Sequence, residues 1–217
     1  MTPDLFADAG DTRPARQALA PGALLLPRFA MALEDALLTA LQQVLAVAPF
    51  RTMTTPGGHA MSVQLSNCGR LGWVSDAGGY RYSRQDPLTG QPWPELPTVF
   101  LKLATAAADA AGYPGFLPDA GLLNCYVPGA RMSLHQDRDE RDFTQPIVSV
   151  SLGLPAVFEL GGLARRDPRQ RIPLAHGDVV VWGGPARLYF HGVLPVQAGE
   201  HPSLGARRIN LTFRRAS

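Results

Sequence analysis

The 217-residue chain has two cysteines, Cys68 and Cys125, spaced too widely for a C-x-x-C site and too few for a disulfide framework. That scarcity points to a reducing compartment, so the expected location is cytoplasmic. No apolar run approaches a membrane span, and no basic start leads into an apolar stretch; neither anchor nor leader is expected. Charge is sparse as well. With 18% charged residues and a net charge of +2, the chain lacks a broad basic surface for gripping intact duplex nucleic acid. Lysine is nearly missing: Lys102 is the one lysine among 20 basic residues. Codon bias is the plainer explanation, a use for arginine's planar fork on carboxylates and phosphates the sharper one, and only position separates the two readings.

What is present describes a single globular domain. Hydrophobic residues make up 46% of the chain, enough for a large core. The 20 prolines and 22 glycines punctuate short apolar runs, which favours a turn-rich β architecture. Residues 1–20 read as a loosely held arm and 23–26 as a short strand. Phe29, Leu33, Leu37, Leu41 and Val44 recur at helical spacing across 29–47, and Pro49 ends that helix. Residues 61–66 alternate like a strand, and 69–82 carry exposed-looking aromatics, Trp73, Tyr80 and Tyr82. Thr98 is expected to cap a second helix running to 111 and closed by Gly112. From 120 onward, apolar runs near 121–127, 147–152, 156–160, 178–182, 187–191 and 207–214 suggest a sandwich, barrel or jelly roll. The expected division is an arm at 1–20, a helical, loop-bearing flank at 21–119 and a β core at 120–217.

The candidate chemistry begins at His135-x-Asp137, which offers an imidazole and a carboxylate from one side of an extended segment. A second imidazole, His191, follows in a strand-like run. Two histidines and one carboxylate on one face of a metal, with the opposite positions open, are the ligands of non-haem Fe(II) oxygenases. The other H-x-D, His176-Gly177-Asp178, reads as a turn entering a strand. His59 and His201 sit beside glycine or proline and read as solvent-facing loop residues. In Arg208-x-Asn210-x-Thr212-x-Arg214 the alternation puts both arginines on one strand face. Either this is a solvated edge strand, or the arginines meet anions, each charge-assisted bond contributing roughly 1.5–3 kcal/mol.

Together these features resemble the AlkB branch of Fe(II)/2-oxoglutarate dioxygenases. The likeness runs from residues 4–8 to Phe213-Arg214. Its most specific stretches are Thr55-Pro56-Gly57-Gly58, Asn67-Cys68-Gly69-x-Leu71-Gly72-Trp73, Ala111-Gly112-Tyr113-Pro114, Ser133-Leu134-His135-Gln136-Asp137 and Asn210-Leu211-Thr212-Phe213-Arg214. The resemblance implies a mainly β fold with flanking helices (α+β). Its core would be a double-stranded β-helix, a jelly roll, and residues 21–119 would supply a nucleotide-recognition lid. It implies Fe(II) on His135, Asp137 and His191, with 2-oxoglutarate and O2 as cosubstrates. Arg208 would pair with the distal carboxylate of 2-oxoglutarate and Arg214 would lie near its other end; Asn124, Tyr126 and Asn210 would complete that site. Trp73 and His135 would sandwich a flipped base, with Asp139 beside its edge, and Tyr80 and Arg165 would touch the substrate strand.

The implied reaction is oxidative removal of N-methyl groups from bases such as 1-methyladenine or 3-methylcytosine, releasing formaldehyde, succinate and CO2. Alkylated single-stranded DNA is the expected partner, with duplex DNA or RNA as alternatives, no membrane, and a monomeric enzyme. Flipping a base costs a few kcal/mol, least from a single strand, and aromatic stacking returns roughly 1–3 kcal/mol, so single strands are favoured. His59, Leu65 and Arg138 depart from the bacterial pattern, which has tyrosine, methionine and lysine there; substrate range is what they bear on.

Overall fold

The computed structural model describes residues 13–217. Residues 1–12, which include most of the expected arm and the first matching stretch at 4–8, lie outside the described residues. In chain order the elements are β1 (Gln17–Ala20), β2 (Ala23–Leu26), α1 (Glu34–Val47), β3 (Arg51–Thr54), β4 (Ala60–Gly69), β5 (Gly72–Asp76), β6 (Gly79–Ser83) and α2 (Thr98–Ala110). There follow β7 (Ala120–Tyr126), β8 (Met132–His135), β9 (Ile147–Gly153), β10 (Ala156–Leu160), β11 (Gln170–Leu174), β12 (Val179–Trp182), β13 (His191–Val193) and β14 (Arg208–Arg214).

An eight-stranded sheet in the order β1-β2-β12-β9-β14-β7-β4-β3 faces a four-stranded one, β11-β10-β13-β8, and β5 and β6 form a separate hairpin. All pairings are antiparallel, so side chains alternate between two faces along each strand. On β14, Ile209, Leu211 and Phe213 join a core shared with β7 and β9 and with the buried faces of α1 (Leu37, Leu41, Val44) and α2 (Phe100, Leu103, Ala107). Phe213 meets Phe100 with ring centroids 5.7 Å apart, and each such side chain contributes roughly 1.5–3 kcal/mol on burial. The other parity, Arg208, Asn210, Thr212 and Arg214, turns toward the four-stranded sheet and lines a cavity between the layers. This is a jelly-roll sandwich whose polar stripe is internal. Among the described residues no helix is long and apolar enough to cross a membrane.

Several expectations need correction. The expected arm is not loose throughout: Gln17–Ala20 is a strand, held as an edge of the large sheet by a tight turn at Gly22 (φ +82°). The first α-helix starts at Glu34, after a 3-10 turn at Met31–Leu33, so Phe29 lies outside it. Thr98 does not cap α2; Pro97 occupies that position and no side-chain cap bond forms. Asp137 lies beyond the strand, because β8 leaves its ladder after His135 and the Asp137 carbonyl accepts a bond from Arg187 instead. The run at 187–191 is a strand only from His191, and β11 gave no apolar signal in Gln170-Arg171-Ile172-Pro173-Leu174. Tyr82 is not exposed: its hydroxyl is buried against Glu140. His201, half-buried, stacks one face on His176 with ring centroids 4.3 Å apart. Four strands of the large sheet, β1 to β4, come from before residue 120.

Candidate metal and cosubstrate site

The cavity between the two sheets has a volume of about 610 Å³. Two strands of the small sheet bring the histidines together. Register places His191 of β13 directly opposite His135 of β8, and the rings stand 4.4 Å apart. Gly192 makes the approach possible, since a Cβ there would fall 2.8 Å from the Met132 carbonyl oxygen. Asp137 follows in the loop after β8. Its Oδ1 lies 3.7 Å from His135 Nε2 and its Oδ2 3.7 Å from His191 Nε2. One donor atom from each of the three residues falls within 4.8 Å of the others, a set able to hold a metal ion.

The imidazoles are prepared for that role. Each Nδ1 faces a backbone carbonyl, Ser133 for His135 at 2.9 Å and Tyr189 for His191 at 3.0 Å. A carbonyl only accepts, so Nδ1 carries the proton and the Nε2 lone pair is free, as metal-binding histidines are commonly held. Burial, with His135 beside it, lowers the His191 imidazole to about 4, which keeps it neutral near pH 7. Burial alone would raise the Asp137 carboxyl, but Arg214, then His191 and His135, outweigh it and hold it well below the usual carboxylate range. The donor set is therefore two imidazole Nε2 atoms and one anionic oxygen, which fits a divalent iron.

On the facing sheet the two arginines differ. Arg214 is neutralised within the protein, with Nη2 2.7 Å from Asp137 Oδ2 and Nε 3.2 Å from Glu140 Oε1. Arg208 is only 1% exposed and donates from Nη2 to Ser151 Oγ at 3.0 Å, while its Nε and Nη1 are buried without a partner. Its guanidinium lies 4.8 Å over the Tyr126 ring, and Asn124 Oδ1 is likewise buried without a partner. A cation desolvated this far is unfavourable unless an anion arrives. The solvated-edge-strand alternative fails here, because β14 is central and all seven of its residues are buried. The residues fit a small dicarboxylate with one end on Arg208.

The remaining candidates line the same cavity. Trp73 on β5 and Tyr80 on β6 stack with centroids 5.5 Å apart at 15°. Asn67 holds the Trp73 backbone by two 2.9 Å bonds, and Trp73 Nε1 donates to Asp139 at 2.7 Å. Arg165 reaches the wall from the loop after β10, donating to the Leu134 carbonyl at 2.8 Å over the Phe190 ring. Asn210 donates to Ser149 Oγ at 2.8 Å. All twelve residues singled out in the sequence thus border one space.

From residue 22 to 214 the chain matches the model of the 2OG-Fe(II) oxygenase superfamily. The alpha-ketoglutarate-dependent dioxygenase AlkB of Salmonella typhimurium is 56% identical over 214 residues, 99% of this chain and 98% of that one. The chain belongs to the AlkB family. As a member of this oxygenase superfamily it uses Fe(II), 2-oxoglutarate and O2. The protein of the same name from Escherichia coli is 55% identical, covering 98% of this chain and 97% of its own. The solved structure of OsALKBH1 shares the fold at a TM-score of 0.81 and 29% identity, covering 92% of this chain and 99% of that one.

In this AlkB-family chain two participants gave no sequence signal. Glu140, in a run of charges that reads as surface, is buried and receives Tyr82 Oη at 2.7 Å, Arg187 Nη2 at 3.0 Å and Arg214 Nε at 3.2 Å. Arg187, also buried, bonds the carbonyls of Asp137 and Gln145 at 3.0 Å each. The pair fixes the loop that carries Asp137. Of the three departures from the bacterial pattern, Leu65 lines the cavity, while His59 and Arg138 lie outside its lining.

Proposed function

We propose that this chain oxidatively demethylates N-methylated nucleic-acid bases, 1-methyladenine and 3-methylcytosine among them, in single-stranded DNA, acting as a cytoplasmic monomer. The observation that carries the reading is the pairing, in one cavity, of a three-residue metal cluster with a buried arginine lacking an anion. The AlkB dioxygenases of two enteric bacteria support it by identity, and similar proteins include a "nucleic acid dioxygenase" of Mus musculus, 35% identical over 60% of this chain. Iron and 2-oxoglutarate, when bound, supply O2 activation with release of CO2 and succinate.

The protein's part is placement. His135, Asp137 and His191 would hold the metal, with the two Nε2 atoms and one carboxylate as donors. Arg208, whose guanidinium is already fixed by Ser151, would take the distal carboxylate with its unpartnered nitrogens. Arg214, itself held by Glu140, keeps Asp137 ionised, and Arg187 fixes its loop. The Trp73 face offers the flipped base a stacking surface, and Asp139 fixes the angle of that indole through Nε1. Held there, the N-methyl carbon would be presented for hydroxylation, and the N-hydroxymethyl adduct would release formaldehyde and leave the unmodified base.

The test is to load the protein anaerobically with Fe(II) and 2-oxoglutarate, add a methylated single strand, and admit air. Formaldehyde and succinate in equal amounts are expected. Succinate without formaldehyde would place the substrate elsewhere, in a protein side chain, lipid or small molecule.

A further inference from the structure

Past the stacked pair Trp73 and Tyr80 lies a second depression, of about 350 Å³, sharing Tyr80 and Asp139 with the main cavity. Its wall is arginine-rich. Arg70 follows β4, Arg81 sits on β6, Arg84 follows β6, and Arg141 comes from the loop after Asp137. Separate segments thus deliver four guanidiniums to one groove, in a chain with 20 basic residues and a net charge of only +2.

Two of the four have company. Arg81 is paired with Asp76 by two 2.8 Å bonds, and Arg70 stands 4.0 Å from Asp119. Arg84 and Arg141 are exposed and have no carboxylate partner among the described residues. Asp139 is the one acidic side chain in the lining, and its Oδ2 already accepts from Trp73. The groove therefore holds two exposed guanidiniums, Arg84 and Arg141, that neither the core nor the metal site requires.

We infer that this groove binds the phosphodiester backbone of the substrate strand where it leaves the nucleotide held in the main cavity. The inference rests on the demethylase reading and adds to it a path for the strand. Chemistry selects phosphate. Guanidinium forks match its oxygens in pairs, and they are weakly hydrated, so the pairing forms readily in a water-exposed channel. Continuity sets the direction, because a strand whose base enters beside Trp73 must cross the rim at Tyr80 and Asp139, where the arginines begin. Two unpartnered guanidiniums beside the main cavity also reconcile strand binding with a low net charge, since one strand is held locally without a broad basic surface.

The experiment compares the full-length chain with Arg84→Ala/Arg141→Ala and with a control, Arg16→Ala/Lys102→Ala. The control removes two positive charges beside β1, at the opposite edge of the large sheet, and on α2. Fluorescence anisotropy follows two probes across a salt series: a methylated trinucleotide and a longer unmethylated single strand. For the groove variant, affinity for the longer strand should fall about tenfold at physiological salt. Its salt slope should drop by roughly 1.4, about 0.7 for each single-strand phosphate that is no longer neutralised. Trinucleotide affinity should change less than twofold, and the control should match wild type on both probes.

A groove variant with wild-type affinity and slope on the longer strand overturns the inference. So does an equal loss on both probes, or a control that loses as much as the variant. The demethylase reading fails separately: wild-type protein that binds longer strands by this pattern yet releases no formaldehyde refutes the reaction and leaves the groove in place.

Discussion

Arg208 offers a test in which stability and binding move apart. Its side chain is buried, one nitrogen donates to Ser151, and Nε and Nη1 have no partner. Burial lowers its pKa from the ordinary arginine value, the mark of a cation held where charge is disfavoured. Arg208→Met keeps much of the volume and the packing on Tyr126 but removes the charge. Replacing buried charges by apolar groups of similar size is often neutral or stabilising. The variant without cosubstrate should therefore melt at or above the wild-type Tm. Binding should suffer heavily. Without two charge-assisted bonds, at roughly 1.5–3 kcal/mol each, 2-oxoglutarate binding weakens by roughly 3–6 kcal/mol, or about two to four powers of ten in Kd. Anaerobic thermal melts with Fe(II), with and without 2-oxoglutarate, read both effects. Saturating the wild type at a hundred times Kd should raise its stability by about 2.7 kcal/mol, or several degrees, and the variant should not respond at that concentration. A variant that melts well below wild type yet still gains from 2-oxoglutarate would show that Arg208 is structural and that the diacid binds elsewhere.

Other outcomes follow from the same geometry. Glu140→Ala leaves Arg187 without its carboxylate and Arg214 with Asp137 alone, so the protein should lose about 3–5 kcal/mol in a denaturant melt; an unchanged midpoint would mean the network carries little. Trp73→Ala should raise KM for a methylated oligonucleotide by the equivalent of roughly 1–3 kcal/mol, while Trp73→Phe, which keeps a smaller ring but loses the bond to Asp139, should fall between. Equal effects from the two would remove stacking from the account. Burial pushes the Cys68 thiol from 9.0 up to about 12. Well below pH 9 the thiol is neutral in both states and has no effect. Above pH 9 the unfolded chain ionises first, so stability should decline as pH rises toward 12, and Cys68→Ala should flatten that part of the profile. Thiol labelling of the native protein at pH 8 should be slow at this residue.

How far the sequence could be read depended on distance along the chain. Alternation in 208–214 foretold the two faces of the strand, because a period of two needs no knowledge of the partners, though not that the strand is central; Asn124 and Tyr126 were placed beside Arg208 only by the family resemblance. Pairings between remote segments were hidden. Nothing in Gln17–Ala20 announces an edge strand, since its partner β2 supplies the apolar residues. Glu140 and Arg187, 47 residues apart, look like surface charges until the fold buries them together. Asp137 illustrates a smaller failure. Its parity with His135 suggested a shared strand face, yet the ligand set closes because the chain leaves the strand and Arg187 holds the loop. The family resemblance supplied the joint role of these residues, and the geometry shows why their chemistry is compatible.

The central claim is that three side chains meet on one iron atom beside a bound diacid. Visible absorption under anaerobic conditions tests it most directly, because the charge-transfer band needs the metal and the chelating 2-oxoglutarate on the same site. Wild-type protein given Fe(II) and then 2-oxoglutarate should develop that band at one equivalent of iron per chain, and His135→Ala should not. A band of full intensity in His135→Ala, or none in wild type, would contradict the account.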